Sequence, residues 1–206
     1  DPGIVQRHSP PSRSWFAVGS IDPATAGREA EIADLLRLAG TVEIVDDICA
    51  AKWMKLVSNA TTLVTTAILG VPMLEAVAMP GMRELMLRSG QEALDTGAAI
   101  GHQVLPIFGL TADDVRQTNR LVETLLDTLL AGFVLPNTKT TVLQDWIKGR
   151  HSEVDDINGV VVAEATRRGG AAPVNAAVVE IARRIERHDL KPGPANLALL
   201  RKLAGL

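Results

Sequence analysis

The chain has 206 residues, 47% of them hydrophobic and 22% charged, which is the composition of an ordinary globular protein with a substantial core. A net charge of −3 provides no basic surface for nucleic acid or anionic lipid, and no apolar run reaches the ~18 to 20 residues that cross a bilayer. We therefore expect no nucleic-acid partner and no membrane insertion. The single cysteine, Cys49, excludes an internal disulfide and fits a reducing, cytoplasmic setting.

Residues 1–48 have the pattern of a small α/β unit. The runs GIVQRH and SWFAVG are typical of strands, and the SPPSR between them is typical of a turn. A helical pattern follows, with apolar residues at Ile32, Leu35 and Leu36 and with Gly40 as its C-terminal cap. The run TVEIVDD predicts one more strand. Because these elements are too few for an independent sheet, we interpret the segment as the tail of a sheet domain.

From Asp46 onward almost every pattern is helical. Asp46 and Asp47 can cap a long helix that ends near Gly70. Further helices are predicted over 80–102, 111–130, 141–149, 152–168 and 171–188, with a short one at the C-terminus. Capping boxes are predicted at Thr111 with Asp114, Thr141 with Gln144, and Ser152 with Asp155. The second half of the chain, 49–206, is thus expected to be an all-helical domain.

Several glycines lie inside the predicted helices and indicate close helix packing. Gly90, Gly97 and Gly101 recur at near-helical spacing. The dipeptide Asn158-Gly159 would ordinarily predict a hairpin, but the helical period continues across it. We therefore place it in a helix interior, where Gly159 lets a neighbouring element approach.

Most catalytic and metal-binding motifs are missing from the sequence. The histidines at 8, 102, 151 and 188 are scattered and lack cysteine or carboxylate partners at ligand spacing, so we expect no metal site. There is no P-loop, no G-x-G-x-x-G after a strand and no G-x-S-x-G elbow. Nucleophilic catalysis therefore has no support.

The helix KWMKLVSNATTLVTTAILG carries the most informative pair, Lys55 and Asn59, which lie one turn apart on one face. Apolar neighbours would desolvate Lys55 and move its pKa toward the working pH, which suits a general acid or a clamp for an anionic substrate. The alternative is a lysine that extends its ammonium from the edge of a core helix into water. The residue pattern alone favours that alternative.

A second polar cluster is TTVLQDWIKGRHSEVDDINGVV, in which Thr141, Asp145 and Glu153 stand at two helix starts. These residues can bind a ligand together. They can equally cap helices and offset helix dipoles, and that explanation accounts for most of the segment.

Together the two segments resemble ketopantoate reductase, the 2-dehydropantoate 2-reductase family. The resemblance rests on DDI…W-x-K-L-x-x-N, on L-Q-D-x-x-x-G-R-x-S-E-V-D-x-I-N-G and on the downstream PVN, and it covers nearly all of residues 1–188. It implies a Rossmann domain that binds NADPH, followed by an all-helical domain of the 6-phosphogluconate dehydrogenase C-terminal type. The fold class is therefore mainly α, with residues 1–48 as a short α/β remnant. The implied reaction is NADPH-dependent reduction of ketopantoate to the 2-hydroxy acid, on the route to pantothenate and coenzyme A.

The resemblance also assigns roles to individual residues. Lys55 matches the general acid, Asn59 a substrate-binding asparagine, and Glu153 the acidic residue near the substrate and the nicotinamide ribose. Thr141 stands where the family usually has a serine that binds substrate. Leu63 replaces a second substrate-binding asparagine, which makes the pocket more apolar. A related 2-oxo acid with a more apolar tail is therefore an alternative substrate.

The glycine fingerprint of the family does not occur in this sequence, so we expect the chain as written to bind NADPH poorly. A non-catalytic helical module, for dimerisation or ligand binding, is the rival to the reductase. Apolar surface left open where more sheet would pack favours a homodimer.

Overall fold

The N-terminal part of the chain forms a β-α-β unit with a parallel sheet. In the computed structural model, which describes residues 3, 4 and 10–206, strand β1 (Trp15–Val18) pairs with β2 (Thr41–Ile44), and helix α1 (Glu29–Arg37) connects them. In register, Trp15 lies opposite Thr41 and Val18 opposite Ile44. The predicted strand GIVQRH falls mostly outside the described residues. The predictions for the other two strands and their helix are confirmed, except that the cap of α1 is Leu38 rather than Gly40. Gly40 instead lies against the entry to β1, where a Cβ would stand 2.4 Å from the Ser14 carbonyl oxygen.

The remainder of the described chain is helical, which confirms the predicted mainly α fold. In chain order the helices are α2 (Ile48–Ala67), α3 (Met73–Val77), α4 (Met82–Ala99), α5 (Ala112–Arg116), α6 (Leu121–Gly132), α7 (Thr141–Ile147), a π-helical segment (Asp155–Gly159), α8 (Val160–Arg167), α9 (Pro173–Glu186) and α10 (Asn196–Ala204). Among the described residues, none of these helices has the length and apolar character required to cross a bilayer.

Helix α2 is the centre of the helical body. Asp47 caps it, with its carboxylate 2.8 Å from the Ala50 amide. The helix packs against α3, α4, α6, α7, α9 and the π-helical segment, and it also touches β1. Its four buried threonines satisfy their hydroxyls by donating to carbonyls one turn earlier. The helix can therefore be buried on most sides although its sequence is rich in polar residues.

Glycines in α4 allow it to lie against α2, as predicted. A Cβ on Gly97 would stand 2.0 Å from Nε1 of Trp53, and a Cβ on Gly90 would stand 2.2 Å from Oγ1 of Thr61. Both distances are far below a van der Waals contact. The third glycine, Gly101, has a left-handed φ of 96° just after α4 and ends the helix instead.

Other predictions about the helices are wrong, each for a local reason. The helix predicted over 111–130 is broken, because α5 buries no side chain and its backbone leaves the helical region at Gln117. The segment around Asn158 is π-helical rather than α-helical. The nearest atoms that a Cβ on Gly159 would meet, at 3.4–3.5 Å, belong to its own segment or to the residue before it, so the approach of a neighbouring element does not require glycine there.

The predicted capping boxes are only partly confirmed by the structure. The box of Thr111 with Asp114 is confirmed. The predicted box at Ser152 is wrong, because Ser152 donates its hydroxyl to Glu186 and Asp155 pairs with Arg183 instead. Contacts between distant elements therefore take precedence over the local sequence signal.

Candidate active site

The central helix α2 leaves one stripe of side chains that is not fully buried. Lys52 and Lys55 are exposed, and Leu56, Asn59 and Leu63 are half-buried, whereas every other residue from 50 to 67 is buried. Because these positions are three or four residues apart, they share one face of the helix. Lys55 and Asn59 thus lie on the same face, as predicted.

Lys55 lies at a cavity between the β-α-β unit and α2. The cavity has a volume of about 190 Å³ and is lined by Trp15, Phe16, Ala17, Ile48, Ala51, Lys52 and Lys55. Its strand side is fixed, because the Trp15 indole donates to the Glu43 carboxylate at 2.8 Å and the ring packs edge-on against Phe108, with centroids 5.2 Å apart. Two lysines beside an apolar wall can hold a small anion that has an apolar part.

The expectation that Lys55 is desolvated by apolar neighbours is wrong for this chain. Its side chain is exposed, because the β-α-β unit covers α2 on one side of the lysine only. A molecule bound in the cavity would supply the missing cover.

Thr141 and Glu153 lie on other elements, and both are exposed. Thr141 is the first residue of α7, and Glu153 lies just before the π-helical segment; both of these elements pack against α2. Of the five candidate residues, only Lys55 is among those that line the cavity beside β1.

The cap of α7 is Thr140 rather than Thr141. The buried Thr140 hydroxyl accepts from the Leu143 amide at 3.2 Å, and Gln144 donates to a backbone carbonyl, so the predicted capping box is wrong. Its neighbour Thr141 consequently keeps an exposed hydroxyl with no capping role.

The polar candidate residues share one further property. Within the described part of the chain, the side chains of Lys55, Asn59, Thr141 and Glu153 make no hydrogen bond and no ion pair. Their donors and acceptors are therefore free to bind a ligand.

A buried amide cluster fixes the middle of α2, and no local sequence pattern indicates it. The Asn158 side-chain amide donates to Oδ1 of Asn175 at 2.7 Å and to the carbonyl of Ala60 at 3.2 Å. In turn Asn175 donates to the Glu92 carboxylate at 2.7 Å. Oδ1 of Asn158 is the one buried side-chain polar atom without a partner in the described chain. The asparagines in ING and PVN thus position the helix that carries Asn59, rather than binding ligand themselves.

Glu186 organises the loop before Glu153. Its carboxylate accepts from the Ser152 hydroxyl at 2.6 Å, the Ser152 amide at 3.1 Å and the Trp146 indole at 3.2 Å, and it lies 2.9 Å from Nδ1 of His151. Burial opposes its ionisation, but these hydrogen bonds outweigh burial and lower the pKa of Glu186 below its ordinary value. The ionised carboxylate holds the backbone next to Glu153.

No group of three or more histidine, cysteine, aspartate or glutamate side chains could hold a metal ion within the described ranges. The polar candidate residues named above are therefore the groups in this region that can take part in ligand binding or catalysis.

Comparison with known proteins identifies the relatives of the chain. It is 28% identical over 170 residues to 2-dehydropantoate 2-reductase of Archaeoglobus fulgidus, covering 82% of this chain and 52% of the relative. It is 31% identical over 151 residues to 2-dehydropantoate 2-reductase of Pyrobaculum aerophilum, covering 73% and 48%. The chain thus spans about half the length of the curated relatives that it matches.

Solved structures share the fold. A PanE/ApbA family ketopantoate reductase from Ralstonia eutropha superimposes with a TM-score of 0.63 and 22% identity, over 85% of this chain and 52% of that one. D-mandelate dehydrogenase in its complex with NADH superimposes with a TM-score of 0.68 and 18% identity, over 84% and 54%. The sequence profile described as "Ketopantoate reductase PanE/ApbA C terminal" matches residues 47–186. On this match, which covers all of α2 to α9, the chain belongs to the ketopantoate reductase family.

Proposed function

We propose that the chain is the substrate-side part of an NADPH-dependent reductase of 2-oxo acids. The observation that carries this proposal is the position of Lys55, whose side chain has no partner among the described residues and lies at the cavity between α2 and β1. In this division residues 1–48 belong to the dinucleotide-binding domain and 49–206 form the substrate domain. The reduction of 2-dehydropantoate, on the route to pantothenate and coenzyme A, is the activity that fits the family.

Each candidate residue has a chemical role in this proposal. Lys55 holds the proton for the oxygen of the 2-oxo group, and its charge stabilises the alkoxide that develops there. Asn59 and Thr141 provide an amide and a hydroxyl that hydrogen-bond the substrate. Glu153 contributes a carboxylate for the substrate and the nicotinamide ribose. Their lack of other partners supports these roles.

The residues of this chain do not form a complete dinucleotide site. NADPH would supply the hydride, but its pyrophosphate requires a tight glycine-rich turn before a helix N-terminus. The connection from β1 to α1, residues 19–28, instead contains a 3₁₀ turn at Pro23–Thr25 and lacks G-x-G-x-x-G spacing. We therefore expect weak NADPH binding, and we assign the hydride step no residue of this chain.

The substrate is ketopantoate or a related 2-oxo acid with a more apolar tail. Leu63 puts an apolar, half-buried side chain on the stripe that carries Lys55 and Asn59. An apolar wall at that position favours a hydrocarbon group over a hydroxyl group in the substrate.

The same proposal predicts the cellular location, the oligomeric state and the partners of the protein. We infer a cytoplasmic enzyme that forms a homodimer, without nucleic-acid or membrane partners. One structural relative, from Staphylococcus aureus, is described as a dimeric ketopantoate reductase, and it superimposes with a TM-score of 0.63. Exposed apolar side chains on the β-α-β unit, such as Leu35 and Leu38, offer surface for association.

Titration of the chain with ketopantoate tests the proposal, with tryptophan fluorescence as the readout because Trp15 lines the cavity. We expect saturable quenching that is lost in Trp15→Phe, and a Kd at least about tenfold weaker in Lys55→Ala, because a charge-assisted contact is lost. Lys139→Ala, on the loop before α7, is the matched control and should bind as the wild type does.

Equal affinity in Lys55→Ala and the control would contradict the role of Lys55. The rival function is a non-catalytic helical module, which the missing glycine fingerprint favours. Absence of any 2-oxo acid binding, together with a stable dimer, would support that module instead.

A further inference from the structure

A second cavity lies outside the candidate active site, where the C-terminal ends of α7 and α9 meet. Its volume is about 180 Å³, and it shares no lining residue with the cavity at Lys55. Trp146, Ile185, Leu190 and Pro192 provide its apolar surface. Four basic side chains also line it: Arg150, His151, His188 and Lys191.

Three of these four basic groups lack partners in the described chain. The side chains of Arg150, His188 and Lys191 make no hydrogen bond and no ion pair, and His151 pairs only with Glu186. Glu186 is the only carboxylate among the lining residues, and its oxygens are already engaged by Ser152, Trp146 and His151. The cavity therefore has an excess of positive charge.

Stabilisation of the two helix ends does not explain these side chains. Cations often interact with the free carbonyls at a helix C-terminus. Here backbone amides already bind those carbonyls: the Arg150 amide donates to Asp145 at 2.8 Å, and the Asp189 amide donates to Arg184 at 2.8 Å. None of the four basic side chains donates to a helix carbonyl within the described residues. Their charges remain available to a ligand.

The backbone at His188 supports a functional reason for this residue. His188 follows the cap of α9 with a left-handed φ of 64°, a conformation that normally requires glycine. At the corresponding position after α7 the chain does have glycine, Gly149, with a φ of 66°. Strained backbone conformations of this kind at residues other than glycine cluster at functional sites.

We propose that this cavity binds a small oxyanion of the phosphate class, either free phosphate or a phosphate ester. The planar guanidinium of Arg150 can bind two phosphate oxygens, and Lys191 adds a point charge. The imidazoles of His151 and His188 provide further donors. The apolar surface around Trp146 can accommodate the organic part of an ester.

The test is calorimetric titration of the chain with inorganic phosphate at low ionic strength. We expect Arg150→Ala with Lys191→Ala to weaken binding about tenfold or more. The control, Lys148→Ala with Lys202→Ala, removes the same charge from exposed positions that do not line the cavity, and it should keep the wild-type Kd. Acetate, which carries one charge, should bind more weakly than phosphate, and a phosphate ester more tightly if the apolar surface contributes.

The variant His188→Gly distinguishes a ligand-binding role of this histidine from a purely structural role. Relief of backbone strain should raise the melting temperature, while loss of the imidazole should weaken phosphate binding. If the double variant at 150 and 191 unfolds, the single variants Arg150→Gln and Lys191→Gln provide the same comparison. The proposal is overturned if phosphate fails to bind the wild type at millimolar concentration, or if both double variants weaken binding equally.

Discussion

Leu63 is the apolar residue on the proposed substrate surface of α2. It continues the α2 stripe of Lys55 and Asn59 by one turn, and its side chain is half-buried against the core. An amide at this position would need a hydrogen-bond partner, whereas a leucine favours an apolar group. We thus assign substrate preference to Leu63 and proton transfer to a different residue, Lys55.

Leu63→Asn should therefore shift the preference of the chain toward ketopantoate, which has a hydroxyl group. We expect the ratio of its Kd for 2-oxoisovalerate to its Kd for ketopantoate to rise about fivefold, since one hydrogen bond contributes on the order of 1 kcal/mol. Fluorescence titration measures both constants. Leu56→Asn, on the neighbouring half-buried position, is the control and should leave the ratio unchanged. An unchanged ratio in both variants would show that Leu63 does not contact the substrate.

At the scale of elements, the contact of α2 with α4 holds the candidate helix in place. Trp53 of α2 donates its indole N–H to the Ala93 carbonyl at 3.0 Å, and its ring stacks on His102 with centroids 5.1 Å apart. Gly97 leaves the space that this indole occupies. The orientation of the α2 stripe thus depends on a glycine in another helix.

Gly97→Ala should destabilise the protein by about 1–3 kcal/mol, because the new Cβ would force the Trp53 indole away from its hydrogen bond. Chemical denaturation measures the free energy of unfolding. The matched variant is Gly132→Ala in α6, where a Cβ meets no atom within 4 Å. It should change stability by less than about 1 kcal/mol, in the stabilising direction if at all. Equal stability of the two variants would contradict the close packing.

Local sequence signals predicted the elements well where they act alone. Asp47 caps α2 and Thr111 caps α5, because a capping side chain needs only its own first turn. They failed where a distant partner intervenes: Ser152 bonds to Glu186, which lies 34 positions away in sequence. The stripe with Lys55 could be read from helical spacing. The cavity beside it could not, because Trp15 reaches it from another element.

At the scale of the whole molecule, the chain combines a β-α-β unit with a helical body, and Lys55 lies where they meet. In a two-domain reductase the general acid is expected at such a boundary, because one domain binds the cofactor and the other binds the substrate. The chain spans about half the length of its curated relatives, and the part that matches the family profile, residues 47–186, includes Lys55, to which we assign the role of the acid. We therefore expect this chain to bind substrate by itself.

The most direct test of this account is a nuclear magnetic resonance titration of the ¹⁵N-labelled wild-type chain with ketopantoate. We predict saturable shifts of the Trp15 indole N–H together with the amides of Lys55, Asn59, Thr141 and Glu153, because one ligand would bridge these elements. The absence of saturable shifts, or shifts confined to the cavity at Trp146, would contradict the assignment of Lys55 and its neighbours as the substrate site.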